Sequence, residues 1–198
     1  NHVLTIRETD PAGNQSGPSA GFTVVVDSVS ATPVITNVTD NVGNAATTVV
    51  SGGLSNDATP TLTGTADANS VVTIFDGGTQ IAVVTADNTG TWTFTPDTAL
   101  GEGSHSFTVR ATDPQGNLSA VSAPWSVVID LTAPTVPTLD NVNDDVSGGV
   151  QGNLTSGQVT NDSTPTISGT GLAGSTIHIM NNGTQIGTTT VDVNGNWS

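Results

Sequence analysis

The chain has 198 residues, 34% of them hydrophobic, and carries seventeen Asp and Glu against two basic residues, for a formal charge of −15. The basic residues are Arg7 and Arg110, so lysine is absent, and so is cysteine. This rules out disulfides, thiolate metal sites and Lys–Asn isopeptide cross-links. It also argues against nucleic-acid and anionic-membrane partners, which are held by Lys and Arg, and favours cations. No apolar run is long enough to insert in a membrane, and no signal peptide opens the chain, so these residues read as a piece of something longer.

Residues 2–27 read HVLTIRETDPAGNQSGPSAGFTVVVD and return at 105–130 as HSFTVRATDPQGNLSAVSAPWSVVID, with 14 of 26 positions identical. Asp57–Thr93 returns at Asp162–Ser198 with 17 of 37 identical. The spacing is 103 residues in the first case (105 minus 2) and 105 in the second (162 minus 57). A period of that size means an array of whole domains. Residues 1–29 are read as the C-terminal strands of one repeat, 30–131 as a complete repeat, and 132–198 as the N-terminal two-thirds of a third. The two partial repeats expose apolar strand edges, which makes mutual completion between chains a possible partner mode.

In the complete repeat, Pro33–Val38 reads as a first strand and Thr61–Thr65 as a second. Val71–Phe75 and Gln80–Thr85 flank the hairpin signal Asp76-Gly77-Gly78-Thr79. Thr91–Thr95 follows the turn Asp87-Asn88-Thr89-Gly90. Ser106–Thr112 and Ser122–Ile129 complete the set around the turn Asp113–Asn117. No stretch has helical periodicity. Seven short strands per 100 residues or so predict an all-β fold: tandem immunoglobulin-like, seven-stranded antiparallel β-sandwiches in an extended array. Alternation puts Phe107, Val109 and Ala111 on the core face. Trp92, Phe94 and Trp125 are expected in the core rather than on a sugar-stacking platform, and Trp197 repeats Trp92. Arg7 and Arg110 are expected on an outer sheet face, each pairing a carboxylate.

The acidic residues sit at the ends of strands. In an up-and-down order, the loop Ala66–Asn69, the turn Asp113–Asn117 and the strand end at Asp27 share one pole. Asp27, Asp67 and Asp113 are candidate ligands there, with Asn69 and Asn117 as further donors. At the opposite pole lie Asp40, Asp57 and Asp130, with Asp144 and Asp162 as counterparts in the next copy. Three uncompensated carboxylates within a few ångströms repel by several kcal/mol. Ca²⁺, which takes six to eight oxygen ligands, would relieve that, with a Kd on the order of 10⁻⁴ to 10⁻³ M. The competing reading is that each Asp shapes its own turn by accepting backbone hydrogen bonds. Asp76, Asp87 and Asp192 are expected to do only that. Leu172 replaces Asp67 in the third repeat, which weakens the site there.

The Asp140–Asp145 cluster lacks the glycine register and closing Glu of an EF-hand. No enzymatic activity is expected: the acids lie in polar turns rather than in an apolar cleft, and His2 and His105 are equivalent positions of a repeat. Sequons such as Asn14-Gln-Ser16 matter only in a glycosylating pathway.

The segment TPTLTGTADANSVVTIFDGGTQIAVVTADNTGTWTF (Thr59–Phe94), followed by TVRATDPQGNLSA and VVIDLTAPTVP, resembles the bacterial Ig-like repeats of giant type I-secreted adhesins and biofilm-associated proteins. That resemblance implies a secreted, cell-surface stalk, rigidified by Ca²⁺ at junctions between neighbouring repeats, that projects a distal adhesive domain. A self-assembling extracellular filament and a glycan-binding Ig-like module are the alternatives.

Overall fold

The computed structural model describes residues 1–43 and 46–198. The strands, in chain order, are β1 (His2–Leu4), β2 (Phe22–Val24), β3 (Val34–Asp40), β4 (Thr47–Thr48), β5 (Gly53–Ser55), β6 (Thr61–Thr65), β7 (Val71–Asp76), β8 (Thr79–Thr85), β9 (Thr91–Phe94), β10 (Gly103–Thr112) and β11 (Trp125–Ile129). They continue with β12 (Asn141–Asp144), β13 (Gly152–Asn153), β14 (Thr166–Thr170), β15 (Thr176–Asn181), β16 (Thr184–Thr190) and β17 (Asn196–Trp197). The described residues contain no helix. The chain divides into two compact units, Asn1–Leu131 and Thr132–Ser198.

The first unit holds an Ig-like β-sandwich. One sheet runs β4-β3-β6-β9 and the other β5-β11-β10-β7-β8. All seven expected strands are present. Two short ones join them: β4, against the end of β3, and β5, which lies parallel to β11 with Val128 beside Leu54. The core between the sheets is built by alternation. Phe107 and Val109 from β10, Val127 and Ile129 from β11 and Val72 and Ile74 from β7 meet Ile35, Val38, Leu62 and Trp92 from the other sheet. The expected inward face of β10 is the buried one, and Trp92 is buried with it.

Local chemistry explains where these strands start and stop. Gly77 and Gly78, both at positive φ, close the β7–β8 hairpin in the left-handed geometry that suits the twist of two adjoining strands. Gly64 stands directly across from Trp92, whose ring covers it; a Cβ there would lie 2.1 Å from the Val34 carbonyl oxygen and 2.2 Å from the indole. Gly169 and Trp197 repeat the arrangement. The expected strand Ser122–Ile129 begins only at Trp125, because Pro124 has no N–H to donate. Upstream of it, serine hydroxyls take over the ladder: the Val109 and Ala111 amides donate to the Ser122 and Ser119 hydroxyls.

Residues 2–24 form a hairpin of the same design. His2 pairs with Val24 as His105 pairs with Val127, and the Ile6 and Glu8 amides donate to the Ser19 and Ser16 hydroxyls. Its apolar side chains are exposed, including Leu4, Ile6 and Phe22.

The second unit repeats the front of the sandwich. One sheet runs β13-β12-β14-β17, and β15 pairs with β16 in a separate ribbon. Its buried apolar core consists of Ile177, Val191 and Trp197, flanked by Ile167 and Ile179.

Candidate functional site

Two kinds of acidic site emerge. The first is a turn, Asp-x-x-Gly-x, that recurs four times, beginning at Asp10, Asp87, Asp113 and Asp192. In each, the amide of the Gly three residues on donates to the Asp carbonyl, and the Asp amide donates to the carbonyl of the fifth residue. One carboxylate oxygen accepts the amides of the third and fifth residues, as when Asp113 receives Gln115 and Asn117 at 2.9 and 2.8 Å. The glycines at the fourth place all have positive φ.

These donors hold the carboxyls below their ordinary range. Asp10 is lowered chiefly by its side-chain bond to Asn14, Asp87 by that to Thr89, and Asp192 by the Asn196 amide. For Asp113 desolvation is the largest influence and opposes the shift, but the combined Asn117, Gln115 and Gly116 bonds outweigh it.

Asp113 therefore sits in a turn that uses both its carboxylate oxygens, the second receiving the Asn117 amide group at 2.8 Å. The other two residues expected at that pole are engaged separately. Asp67 accepts the Ala31 amide at 2.7 Å, and Asp27 accepts the Val29 amide at 3.3 Å. Asn69, at φ 61°, donates its amide to the Asp87 carbonyl, bringing the Asp67 loop against the Asp87 turn.

The second kind of site is a buried network of two aspartates bridged by a hydroxyl. Asp40, at the end of β3, accepts the Ser55 hydroxyl at 2.7 Å and the Val42 amide at 2.9 Å. The Asp57 amide donates to the same Ser55 hydroxyl, and the Asp57 carboxylate accepts from the Thr59 amide, the Thr59 hydroxyl and the Asn41 amide. Both aspartates are buried. Asp130 joins this end of the sandwich through its amide, which donates to the Ser55 carbonyl at 2.9 Å.

The second unit builds the same device from Asp144, Thr160 and Asp162. Thr160 donates to Asp144 and receives the Asp162 amide, and Thr164 caps Asp162 as Thr59 caps Asp57. One oxygen is left over: Asp162 Oδ2 is buried with no hydrogen-bond partner. Its counterpart on Asp57 receives Asn41, a position that is Asp145 in the second unit.

Sequence reasoning placed these acids at the ends of strands but passed over the hydroxyls that bridge them. The signal was present: Ser55-Asn56-Asp57-Ala58-Thr59-Pro60 and Thr160-Asn161-Asp162-Ser163-Thr164-Pro165 share a hydroxyl-Asn-Asp-x-Thr-Pro pattern. Among the described residues, no three His, Asp or Glu side chains gather as a ready-made metal group. A cation would have to complete its shell with carbonyls, hydroxyls and water, as Ca²⁺ commonly does. Asp162 is the residue that fits this best, because a buried carboxylate oxygen without a donor is costly unless something positive approaches it.

Two expectations are corrected. Asp76 does more than shape a turn: it accepts a 2.6 Å bond from His105 Nδ1 and, at 3.0 Å, the Ser106 amide. His105 Nε2 faces the Gly101 carbonyl at 2.8 Å. Both ring nitrogens thus meet acceptors, an arrangement fully satisfied only by the doubly protonated ring. Burial disfavours that charge, but Asp76 and the Gly101 carbonyl outweigh burial and raise the pKa above its ordinary 6.5. The ring has no nitrogen left to act as a base. Arg110, expected to pair a carboxylate, instead donates its Nε to the Ser119 carbonyl at 2.8 Å, because the hydrogen bonds between Ser119 and Ala111 hold that carbonyl beside β10.

A groove of about 680 Å³ lies between β8 and residues 94–100, walled by Val83, Val84, Phe94, Pro96 and Leu100. Phe94 is its single aromatic ring, so it offers no paired stacking surface for a sugar.

Residues 34–131 match the family model of the bacterial Ig-like domain. The chain is 32% identical over 148 residues to Exoglucanase B of Cellulomonas fimi, an alignment that covers 69% of this chain and 12% of that protein. Among solved structures, a carbohydrate acetylesterase from Xanthomonas citri superposes with a TM-score of 0.27 at 19% identity, covering 38% of this chain and 18% of the other.

Proposed function

We propose that the bacterial Ig-like domain of residues 34–131 is one spacer module of a tandem extracellular array. In this reading the array is the stalk of a bacterial surface adhesin, holds a distal adhesive domain away from the cell, and has no catalytic role. The observation that carries the reading is the duplication itself: the hydroxyl-bridged aspartate network and the Asp-x-x-Gly turns each recur at corresponding places along the chain. A catalytic or recognition site rarely needs copying along a chain; a spacer is made by copying. The match to a short part of an exoglucanase fits a module that recurs as an accessory domain beside unrelated activities.

Ca²⁺ is the cofactor in this proposal. It would be held at one pole by Asp27, Asp67 and Asp113 and at the other by Asp40, Asp57 and Asp130, with Asp144 and Asp162 as the corresponding pair in the next copy. The buried, donor-free oxygen of Asp162 supports it. Bound there, the ion supplies charge neutralisation and cross-bracing of loops, in a chain with no disulfide to do that work.

Small-angle X-ray scattering and thermal melting in millimolar calcium and then in chelator test the proposal. A rise in melting temperature of several degrees and a more rigid scattering profile with calcium are expected. Identical curves in both buffers would remove calcium from the account.

A further inference from the structure

An asparagine followed by glycine is open to spontaneous deamidation, because glycine has no side chain to shield the backbone nitrogen that attacks the carboxamide. The chain has two such steps, Asn182-Gly183 and Asn194-Gly195, both in the second unit. The fold treats them differently.

Asn182-Gly183 is the tip of the β15–β16 hairpin. The ladder closes on Asn181 opposite Thr184, so the two tip residues lie outside it. Both are exposed and at positive φ, 50° and 82°, the left-handed pair that suits a two-residue hairpin loop. A Cβ built on Gly183 would meet no atom within 4 Å, so the space around this residue is open. Asn194-Gly195, by contrast, is held inside the Asp192 turn. The Gly195 amide donates to the Asp192 carbonyl at 3.0 Å, and the Gly195 carbonyl accepts the Gly171 amide at 3.0 Å. The Asn194 and Asn196 amides both donate to one Asp192 carboxylate oxygen.

The complete repeat supplies the control for each site. Its Asp87 turn holds Gly90 by the same bond that holds Gly195, so restraint of that glycine belongs to the repeat's design. Its hairpin tip is Gly77-Gly78, which has no carboxamide to lose. Before that tip stands Asp76, whose carboxylate is engaged by His105 and the Ser106 amide, while the Gly77 amide donates to the Ser106 carbonyl. Both partners of the analogous Asp-Gly reaction are therefore withheld.

We propose that Asn182 is a self-modification site, converted with time to aspartate and isoaspartate. The Gly183 amide nitrogen, after losing its proton to solvent base, bonds to the Asn182 side-chain carbonyl carbon. The carboxamide carbon–nitrogen bond breaks and ammonia leaves. Water then opens the resulting cyclic imide at either carbonyl. One opening gives aspartate; the other gives isoaspartate, in which the chain runs through the side-chain carbon. The balance is one water consumed, one ammonia released and one negative charge gained. Isoaspartate adds a backbone atom to a two-residue loop and parts Asn181 from Thr184, so the hairpin loosens with age. No metal takes part, so the reaction stands or falls separately from the calcium proposal.

The test is a time course of the full chain in mildly alkaline buffer, read by peptide-mapping mass spectrometry. Product should accumulate at Asn182 about fivefold faster than at Asn194, the kinetic equivalent of the roughly 1 kcal/mol needed to free the Gly195 amide. The two rates should converge in urea, where both steps are plain Asn-Gly. Asn182→Gly, which restores the tip of the complete repeat, should abolish the fast product and leave the Asn194 rate unchanged. An Asn182 rate no greater than that of Asn194 in the folded chain would overturn the proposal. So would a difference of the same size in urea, since the fold would then not be its cause.

Discussion

The complete repeat and the second unit share much of a sandwich sequence, and comparing them separates features made locally from features made by distant strands. The Asp-x-x-Gly turn at Asp192 is built like that at Asp87, and the Asp144–Thr160–Asp162 network copies Asp40–Ser55–Asp57. The buried cores differ. The core cluster of the complete repeat has twelve buried residues and that of the second unit three, and among the described residues the counterpart of β5, 158–160, forms no strand. Turns and bridged aspartates are local structures that need only a few neighbouring residues. The core and β5 depend on strands distant along the chain, β10 pairing with β7 from Phe107 opposite Asp76 and β5 lying beside β11 with Gly53 opposite Val127, in keeping with the context dependence of strand formation.

The largest test of this contrast replaces the same position in two settings. Phe107→Ala removes a fully buried ring and should destabilise the complete repeat by about 3–5 kcal/mol. Leu4→Ala, its counterpart at 57% exposure, should change the unfolding free energy of dilute chain by no more than about 0.5 kcal/mol. Urea denaturation of both variants measures the difference, and similar losses would mean that the hairpin is not exposed in solution.

A smaller effect separates the two aspartate networks. Asp57→Asn weakens a carboxylate that receives three donors and should lower stability by about 1–3 kcal/mol. Asp162→Asn, where one oxygen has no partner, should be milder in chelator and should erase the calcium-dependent gain proposed above. Calorimetry of each variant with and without calcium gives the four values needed.

The smallest effects are in pH. The Asp10, Asp87, Asp113 and Asp192 carboxyls have folded pKa values below the ordinary 3.8. Their stabilising contribution is therefore complete above 3.8 and is lost as pH falls through the lowered values. His105 behaves in the opposite sense. Its raised pKa makes its contribution complete below 6.5 and lost as pH climbs through the folded value. The melting temperature should therefore fall at both ends, and His105→Gln should flatten only the alkaline slope. An unchanged alkaline slope in that variant would show that His105 is not the titrating group.

Most of the sandwich was legible in the residues, because turns are written locally. Asp-Gly-Gly-Thr and Asp-x-x-Gly mark hairpins through the positive φ that glycine tolerates, and the alternation of Phe107, Val109 and Ala111 marks an inward face. The features that escaped are those made by distance along the chain. Asp76 looked like a turn former because its partner His105 lies 29 residues away. Ser55 and Thr160 stand in a repeated hydroxyl-Asn-Asp-x-Thr-Pro pattern, but the aspartate that each one bridges to is brought beside it only by β3 or β12. β5 has no strand signal of its own, since it exists by pairing with β11. The candidate acids were recognisable as a set, whereas the oxygens they still have to offer depended on counting each donor in the folded chain.

One irregularity has a wider consequence. In both hairpin ribbons the pairing slips by one residue, leaving Ile81 on β8 and Ile186 on β16 without a direct counterpart. β8 and β16 are uncharged outer strands, Thr-Gln-Ile at the start of each, in repeats similar enough to recognise one another. Straight, uncharged outer strands are templates for pairing with another strand. A register shift of this kind interrupts the regular ladder of an outer strand, which makes that strand a poorer template for pairing with a like one.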